Sequence, residues 1–443
     1  MTIRRIVHVA AALLVVVVPA RLASADEVTD WNRTLFRAAL VAGSSPLVMT
    51  RNTAIVQAAV FDAVNGIERR YTPIHVPATG PAGASLRGAA MQAAYVALSK
   101  LYGATTSLQL MFDARRAASF ADISARENAA SVAAGIAWGD SVANQIWAWR
   151  LTDGIALPPS PWLGNTAPGQ WRQTPNDPLP GTSAPGAGYP QFVGMTPWAI
   201  ASPSAFRAPD PPALTSARYT RDFNEVKAMG SQTSATRSAD ETIFALVWAS
   251  GTASYLWNHA AVELLDGRGR GGDGDRDEAE EHARNGRRGL LEHARILGAM
   301  DVAMADAAIG CWDTKYLYNL WRPITGIRFA ADDGNAATMA ETGWTPLLST
   351  PAHPSYTSGH SCVSAAAAGV LAHEFGEHTR FTIESDQMPG VVRSFTTFNA
   401  ALEEVKDARV FGGIHWRFDC DRGQAIGAAV ASYILDNSFQ RVR

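Results

Sequence analysis

Apolar residues recur along this chain at three- and four-residue intervals, while strict alternation is scarce. That periodicity predicts helices rather than strands. In residues 50–70, Val56, Ala59, Val60, Ala63, Val64 and Ile67 fall on one helical face. Residues 89–101 and 125–149 repeat the pattern, with Arg126 and Glu127 in the first turn of the latter and Gly154 just past its end. It returns at 239–248 and 255–265, then over 288–308, 315–321, 361–375, 398–411 and 421–435. Between the two sets, residues 157–212 lose it: prolines and glycines recur, interleaved with Trp162, Trp171, Phe192 and Trp198. Proline removes donors and breaks helices, so this stretch is expected to be irregular and pinned to the helices by its aromatics. The expected fold class is all-α. Two helical bundles, 26–156 and 216–443, are joined by a proline- and glycine-rich connection over 157–215.

The first 25 residues stand apart. Arg4 and Arg5 precede an apolar run over residues 6–19, and Ala23-Ser24-Ala25 follows. That is the form of an export signal, and the run is short for a membrane span. The expectation is a mature chain from Asp26, periplasmic or secreted, with no membrane span. The 443 residues carry a formal net charge of −3, so no whole-chain attraction to nucleic acid is expected. An anion site must come from local placement of cations. Of the three cysteines, Cys311, Cys362 and Cys420, at least one stays unpaired within the chain; a Cys362–Cys420 bridge and buried free thiols are both compatible with the sequence. Asp273, Asp275 and Asp277 begin like a calcium loop, but Glu278 and Arg284 stand where glycine and glutamate are required, which leaves a solvated loop.

Local cations do cluster, in three short blocks: Lys315 with Arg322-Pro323, then Ser358-Gly359-His360, then Arg409 with His415. Lys315 and Arg322 are seven residues apart, about two helical turns, which would put both on one face. Pro323 disfavours helical geometry at Arg322, placing it near a helix end. Ser358-Gly359-His360 falls at the start of an alanine-rich helix, where backbone amides favour negative charge. His360 is suited to proton transfer near neutral pH. Gly412-Gly413 would break the helix carrying Arg409 and let His415 turn back. Asp419, four residues on, could hold that imidazole and fix its tautomer. Together the blocks supply three cations, a hydroxyl, a glycine amide and two imidazoles, an inventory for gripping a tetrahedral oxyanion.

The three blocks resemble the signature shared by vanadium-dependent haloperoxidases and type 2 phosphatidic-acid phosphatases. The resemblance implies an oxyanion site inside the C-terminal four-helix bundle. It implies vanadate as cofactor, in a site that phosphate can also occupy. Lys315, Arg322, Arg409, Ser358 and the Gly359 amide would hold the equatorial oxygens. His415 would be the axial vanadium ligand and His360 the acid–base group. The chain's length resembles the haloperoxidase branch, as do Asp30-Trp31-Asn32, residues 61–65, and Trp248 followed by Trp257. Trp312 and His353 fall where that branch has its halide-side residues; His353 is similar to the bromoperoxidase choice and Trp312 to the chloroperoxidase one. Ala408 departs from the family, where many members have serine before the arginine.

The implied activity is oxidation of halide, bromide ahead of chloride, by hydrogen peroxide, with the halogen passed to a small organic substrate. Two alternatives share the same residues. In an exported acid phosphatase, His415 would attack phosphorus and His360 would protonate the leaving group. The third reading is a non-catalytic oxyanion-binding protein. The oligomeric state is open.

Overall fold

The computed structural model describes residues 26–158, 162–174, 188–267 and 289–442. The export-signal expectation for 1–25 and the loop with Asp273, Asp275 and Asp277 lie outside them. The described residues form thirteen α-helices and one two-stranded hairpin, as the all-α reading expects.

The N-terminal helices are α1 (Glu27–Val41), α2 (Pro46–Glu68), α3 (Leu86–Tyr102), α4 (Thr106–Arg126) and α5 (Ala129–Arg150). Local chemistry sets their ends. Asp26, Ser45, Ser85 and Asn128 accept hydrogen bonds from first-turn amides of α1, α2, α3 and α5, satisfying donors that a helix leaves orphaned. Almost every residue of α2 from Leu47 to Gly66 is buried, the mark of a helix surrounded by others. The sequence reading missed α1 and α4, and it began a helix at 125 where α4 in fact ends. Few residues of α4 are buried: Leu108, Phe112, Ser119 and Ile123. So narrow a stripe gives little periodicity to read.

The second set comprises α6 (Ala217–Met229), α7 (Ala239–Val247), α8 (Ala253–Leu265), α9 (Leu290–Tyr318), α10 (Pro323–Arg328), α11 (Gly359–Phe375), α12 (Phe398–Phe411) and α13 (Arg417–Asn437). The sequence reading missed α6, which buries only Tyr219, Asp222, Phe223 and Val226. It also split α9 into two helices. The 29 residues of α9 run unbroken, buried on all sides over most of their length, and pack against α2 of the first set and α11 and α13 of the second. A helix buried all round has no polar face to set its phase, which hides its continuity.

Two glycines of α13 let it lie directly on α11. A Cβ at Gly427 would come within 2.0 Å of the Cys362 carbonyl oxygen, and one at Gly423 within 2.6 Å of that of Ser358. The close approach lets the Ser358 amide donate to the Asp419 carbonyl at 2.9 Å, tying the start of α11 to the start of α13. The hairpin, β1 (Phe381–Glu384) paired antiparallel with β2 (Val392–Phe395), was not expected, because four-residue strands are too short to show alternation.

Between α5 and α6 the described residues hold one 3₁₀ turn, Pro190–Gly194, and no α-helix. This strap is pinned by buried Trp171, Phe192 and Trp198, as expected, and also by a carboxylate. Asp306 of α9 accepts from the amides of Trp198, Ala199 and Ile200 at 2.7, 2.8 and 3.0 Å.

Candidate oxyanion site

The residues of the three blocks meet at the ends of α9, α11 and α12. Lys315 sits in the last turn of α9 and is fully buried; its Nζ donates to the carbonyls of Pro354 and Ser355 at 3.0 and 2.9 Å. The expectation that Lys315 and Arg322 share a helical face fails. α9 ends at Tyr318, Asn319 takes left-handed geometry with φ 50°, and Arg322 is the N-cap of α10. Proline at 323 cannot continue a helix arriving from its N-terminal side. The two cations converge through a turn instead. Arg322 donates through Nε to the His353 carbonyl at 2.8 Å and through Nη1 to the Ile414 carbonyl at 2.7 Å.

Ser358 caps α11, as expected, and its Oγ accepts from the Ser361 amide at 3.4 Å and the Ser361 hydroxyl at 3.1 Å. As an acceptor there, the hydroxyl keeps its own proton to donate. Gly359 and His360 occupy the first turn of α11. A Cβ at Gly359 would come within 3.1 Å of the Trp312 ring, so glycine keeps this edge open. Arg409 lies in the last turn of α12; Nη1 donates to the Trp248 carbonyl at 3.3 Å, while buried Nε has no protein partner. The buried Nε2 of His360 likewise has none.

Gly412 ends α12 and Gly413 takes φ 76°, which only glycine adopts readily, so the chain reverses and brings His415 to the cations. His415 Nδ1 lies 2.9 Å from Asp419 Oδ2, and its Nε2 lies 3.0 Å from Arg322 Nη1. Asp419 Oδ2 also accepts from the Ser355 hydroxyl and the Trp416 amide, so it is an acceptor toward His415 as well; Nδ1 then carries the proton and the Nε2 lone pair faces the cations. Sequence reasoning did not single out Ser355, whose hydroxyl donates to Asp419 Oδ2 at 2.5 Å. It did not single out Gly188 of the strap either, whose carbonyl accepts from Tyr316 OH at 2.8 Å and Trp312 Nε1 at 3.3 Å. No local signal in a glycine-rich stretch could have found it.

Trp312 and His353 stand together at the cavity wall, ring centroids 4.8 Å apart, with Arg322 Nη2 2.9 Å from His353 Nδ1. The cavity is about 240 Å3 and reaches Gly359, His360, Arg409 and His415. The cysteines are three buried free thiols, so the Cys362–Cys420 bridge is absent. Cys311 and Cys362 flank the Thr357 hydroxyl instead, at 3.3 and 3.6 Å.

Burial dominates the electrostatics. It lowers Lys315 to about 8, Arg322 to about 9 and Arg409 to about 10, and raises Asp419 to about 7 against the pull of Ser355, Lys315 and Arg322. His415, His353 and His360 fall well below the ordinary imidazole value, first through burial and then through the neighbouring arginines. All three are neutral at pH 7. Three buried cations thus face one buried carboxylate, an arrangement costly by itself and relieved by an anion.

Residues 295–443 match the family model described as the VCPO second helical-bundle domain. That stretch, α9 to α13 of the second set, is thus similar to a vanadium-haloperoxidase domain. The chain is 26% identical over 320 residues to the vanadium chloroperoxidase of Curvularia inaequalis, covering 57% of this chain. It spans about half, 50%, of that curated relative's length. Among solved structures, a bacterial vanadium-dependent iodoperoxidase shares the fold with a TM-score of 0.74 at 24% identity, over 94% of this chain and 98% of the other. An apo-type bacterial vanadium-dependent chloroperoxidase follows at 0.67 and 16%, over 88% and 92%. The haloperoxidase fold thus extends through both helical sets, beyond the matched domain.

Does the cluster suit vanadate? Its chemistry is that of an oxyanion site with a single nitrogen ligand, not a cage for a bare cation. Among the described residues no group of three or more His, Cys, Asp or Glu could hold a metal ion. The partnerless Nε of Arg409 and Nε2 of His360, the Nε2 lone pair of His415 and the α11 N-terminus all fit a tetrahedral or five-coordinate oxyanion.

Proposed function

We propose that this chain is a vanadate-dependent haloperoxidase. It oxidises bromide in preference to chloride with hydrogen peroxide, and the halogen passes to small organic molecules. The observation that carries this reading is the buried excess of cations, Lys315, Arg322 and Arg409 against Asp419, around the neutral His415 lone pair. The names of the relatives, all vanadium haloperoxidases, support it. When bound, vanadate supplies a Lewis acid that activates peroxide without a change of oxidation state.

The chain's own groups do the rest. Lys315, Arg322 and Arg409 hold the oxyanion in a preorganised clamp, with the Ser358 hydroxyl and Gly359 amide on the α11 side. His415 Nε2 would be the nitrogen that holds the vanadium. Asp419, held by Ser355, keeps the proton on Nδ1. His360, neutral at pH 7, takes a proton from incoming peroxide at Nε2. His353 and Trp312 wall the halide side, and His353 beside Arg322 underlies the bromide preference.

Purified protein stripped of oxyanions and reloaded with vanadate should brominate a phenolic trap, given peroxide and bromide, faster than it chlorinates one. Chlorination outpacing bromination would remove the halide preference. No halogenation, with release of phosphate from an ester, would replace the reading with the phosphatase one. Neither activity, with tight vanadate binding, would leave a binding protein.

A further inference from the structure

The cavity beside the cations has a mixed lining. Arg409, His415, His353 and His360 are its polar part. Much of the rest is apolar: Leu47 of α2, Ala253 of α8, Trp312 of α9, Val363 of α11 and Tyr189 of the strap. Peroxide and halide are small and strongly hydrated, and neither gains from such a wall. An apolar molecule does, by about 25 cal/mol for each Å2 it removes from water. The wall is also preformed. The strap behind Tyr189 is fixed through Gly188 to Trp312 and Tyr316, so little ordering cost attends binding.

Size and polarity narrow the occupant. At about 240 Å3 the cavity lies below the usual range of roughly 300–1,000 Å3 for ligand pockets, which selects a single ring. Arg409, a residue of the anion site, is the one charged side chain among the described residues of its lining, so a molecule beside that site is best neutral. Thr50, Thr252 and Ser254 also line it. Thr50 donates to the Leu47 carbonyl at 2.8 Å, which leaves its oxygen free to accept from a ligand hydroxyl.

We propose that this cavity binds a neutral one-ring phenol and that the halogen is transferred to it there, not in bulk solution. This rests on the haloperoxidase reading, which supplies the oxidant: peroxide, halide and a proton give hypohalous acid and water. In the transfer the ring carbon–halogen bond forms and the oxygen–halogen bond of hypohalous acid breaks. The ring proton leaves with the released hydroxide as water.

Calorimetry of vanadate-free protein with 2-methylphenol tests the binding. Saturable binding is expected, weakened at least about tenfold in Val363→Trp, which fills the cavity, and also weakened in Tyr189→Ala, which removes a wall. Vanadate-loaded Tyr189→Ala should still oxidise iodide within about twofold of the parent, since the change opens the strap side of the cavity and leaves the residues assigned to the anion in place. In the parent, bromination of 2-methylphenol should persist with excess methionine as a scavenger of free hypohalous acid. Absence of saturable binding, unchanged binding in both variants, or loss of product on adding methionine would overturn the proposal. Binding without any iodide oxidation would overturn the haloperoxidase reading and the transfer step with it, and leave the phenol site standing.

Discussion

In the proposed reaction Asp419 acts through a neighbouring side chain and not on a substrate. Its Oδ2 takes His415 Nδ1 at 2.9 Å and the Ser355 hydroxyl at 2.5 Å, and the first contact aims the His415 lone pair. Replacing such an outer partner lowers metal-ligand affinity roughly 10–100-fold. Asp419→Ala should therefore weaken vanadate binding by about that factor in equilibrium dialysis; unchanged affinity would show that the carboxylate does not orient the ring. Lys315 predicts a pH dependence. Burial lowers it to about 8 in the free site, and a bound anion favours its charged form, so binding takes up a proton above that pH. Affinity for sulfate, whose own charge is constant over this range, should fall toward tenfold per pH unit above about 8. A flat calorimetric profile from pH 6 to 9.5 would remove the lysine from the clamp.

At the scale of elements, the α11–α13 contact sets where Ser358 and Asp419 sit. Gly427 lets α13 lie on the Cys362 carbonyl, and a methyl there forces the helices apart. Gly427→Ala should cost about 1–3 kcal/mol, the usual toll of overpacking, and weaken vanadate binding as Ser358 and Asp419 separate. Gly194→Ala, where a Cβ meets nothing within 4 Å, is the control. Equal melting temperatures for the two variants would contradict the packing argument. These elements also mark how far the sequence could be read. The Ser358 cap and the Gly412-Gly413 reversal were legible, because each rests on the residue's own backbone preference. The shared helical face of Lys315 and Arg322 was a misreading: the heptad spacing was real, but the left-handed Asn319 intervenes. The Gly423 and Gly427 contact was present in the sequence without a sign of its partner, since what it fits lies some sixty residues away.

Across the whole molecule, α9 joins the two helical sets, and its buried carboxylates are part of that join. Asp301 lies fully buried, accepts from Asn258 at 2.8 Å, and is pushed by burial from 3.8 to about 7. The folded state therefore holds this proton more tightly than the unfolded one. Stability from this group is present below about pH 4 and is lost as pH rises through about 7, on the order of 4 kcal/mol in all. Asp301→Asn should remove that slope, so denaturant midpoints of variant and parent should diverge between pH 5 and 8; parallel curves would show that the group does not titrate in this window. The joining role of α9 was not legible, because burial on every side erases the periodicity that reveals a helix. The strap was legible only as irregular, yet Gly188 and Tyr189 complete the cavity.

In the proposed function one vanadate, held by the three cations and attached at His415, makes this protein an oxidant of halide. Titrating vanadate into the stripped protein while following bromination tests it most directly. The rate should rise to a sharp break at about one equivalent per chain, as expected of one site per bundle, with no rise in His415→Ala. A rate independent of vanadate, or an equal rise in His415→Ala, would contradict it.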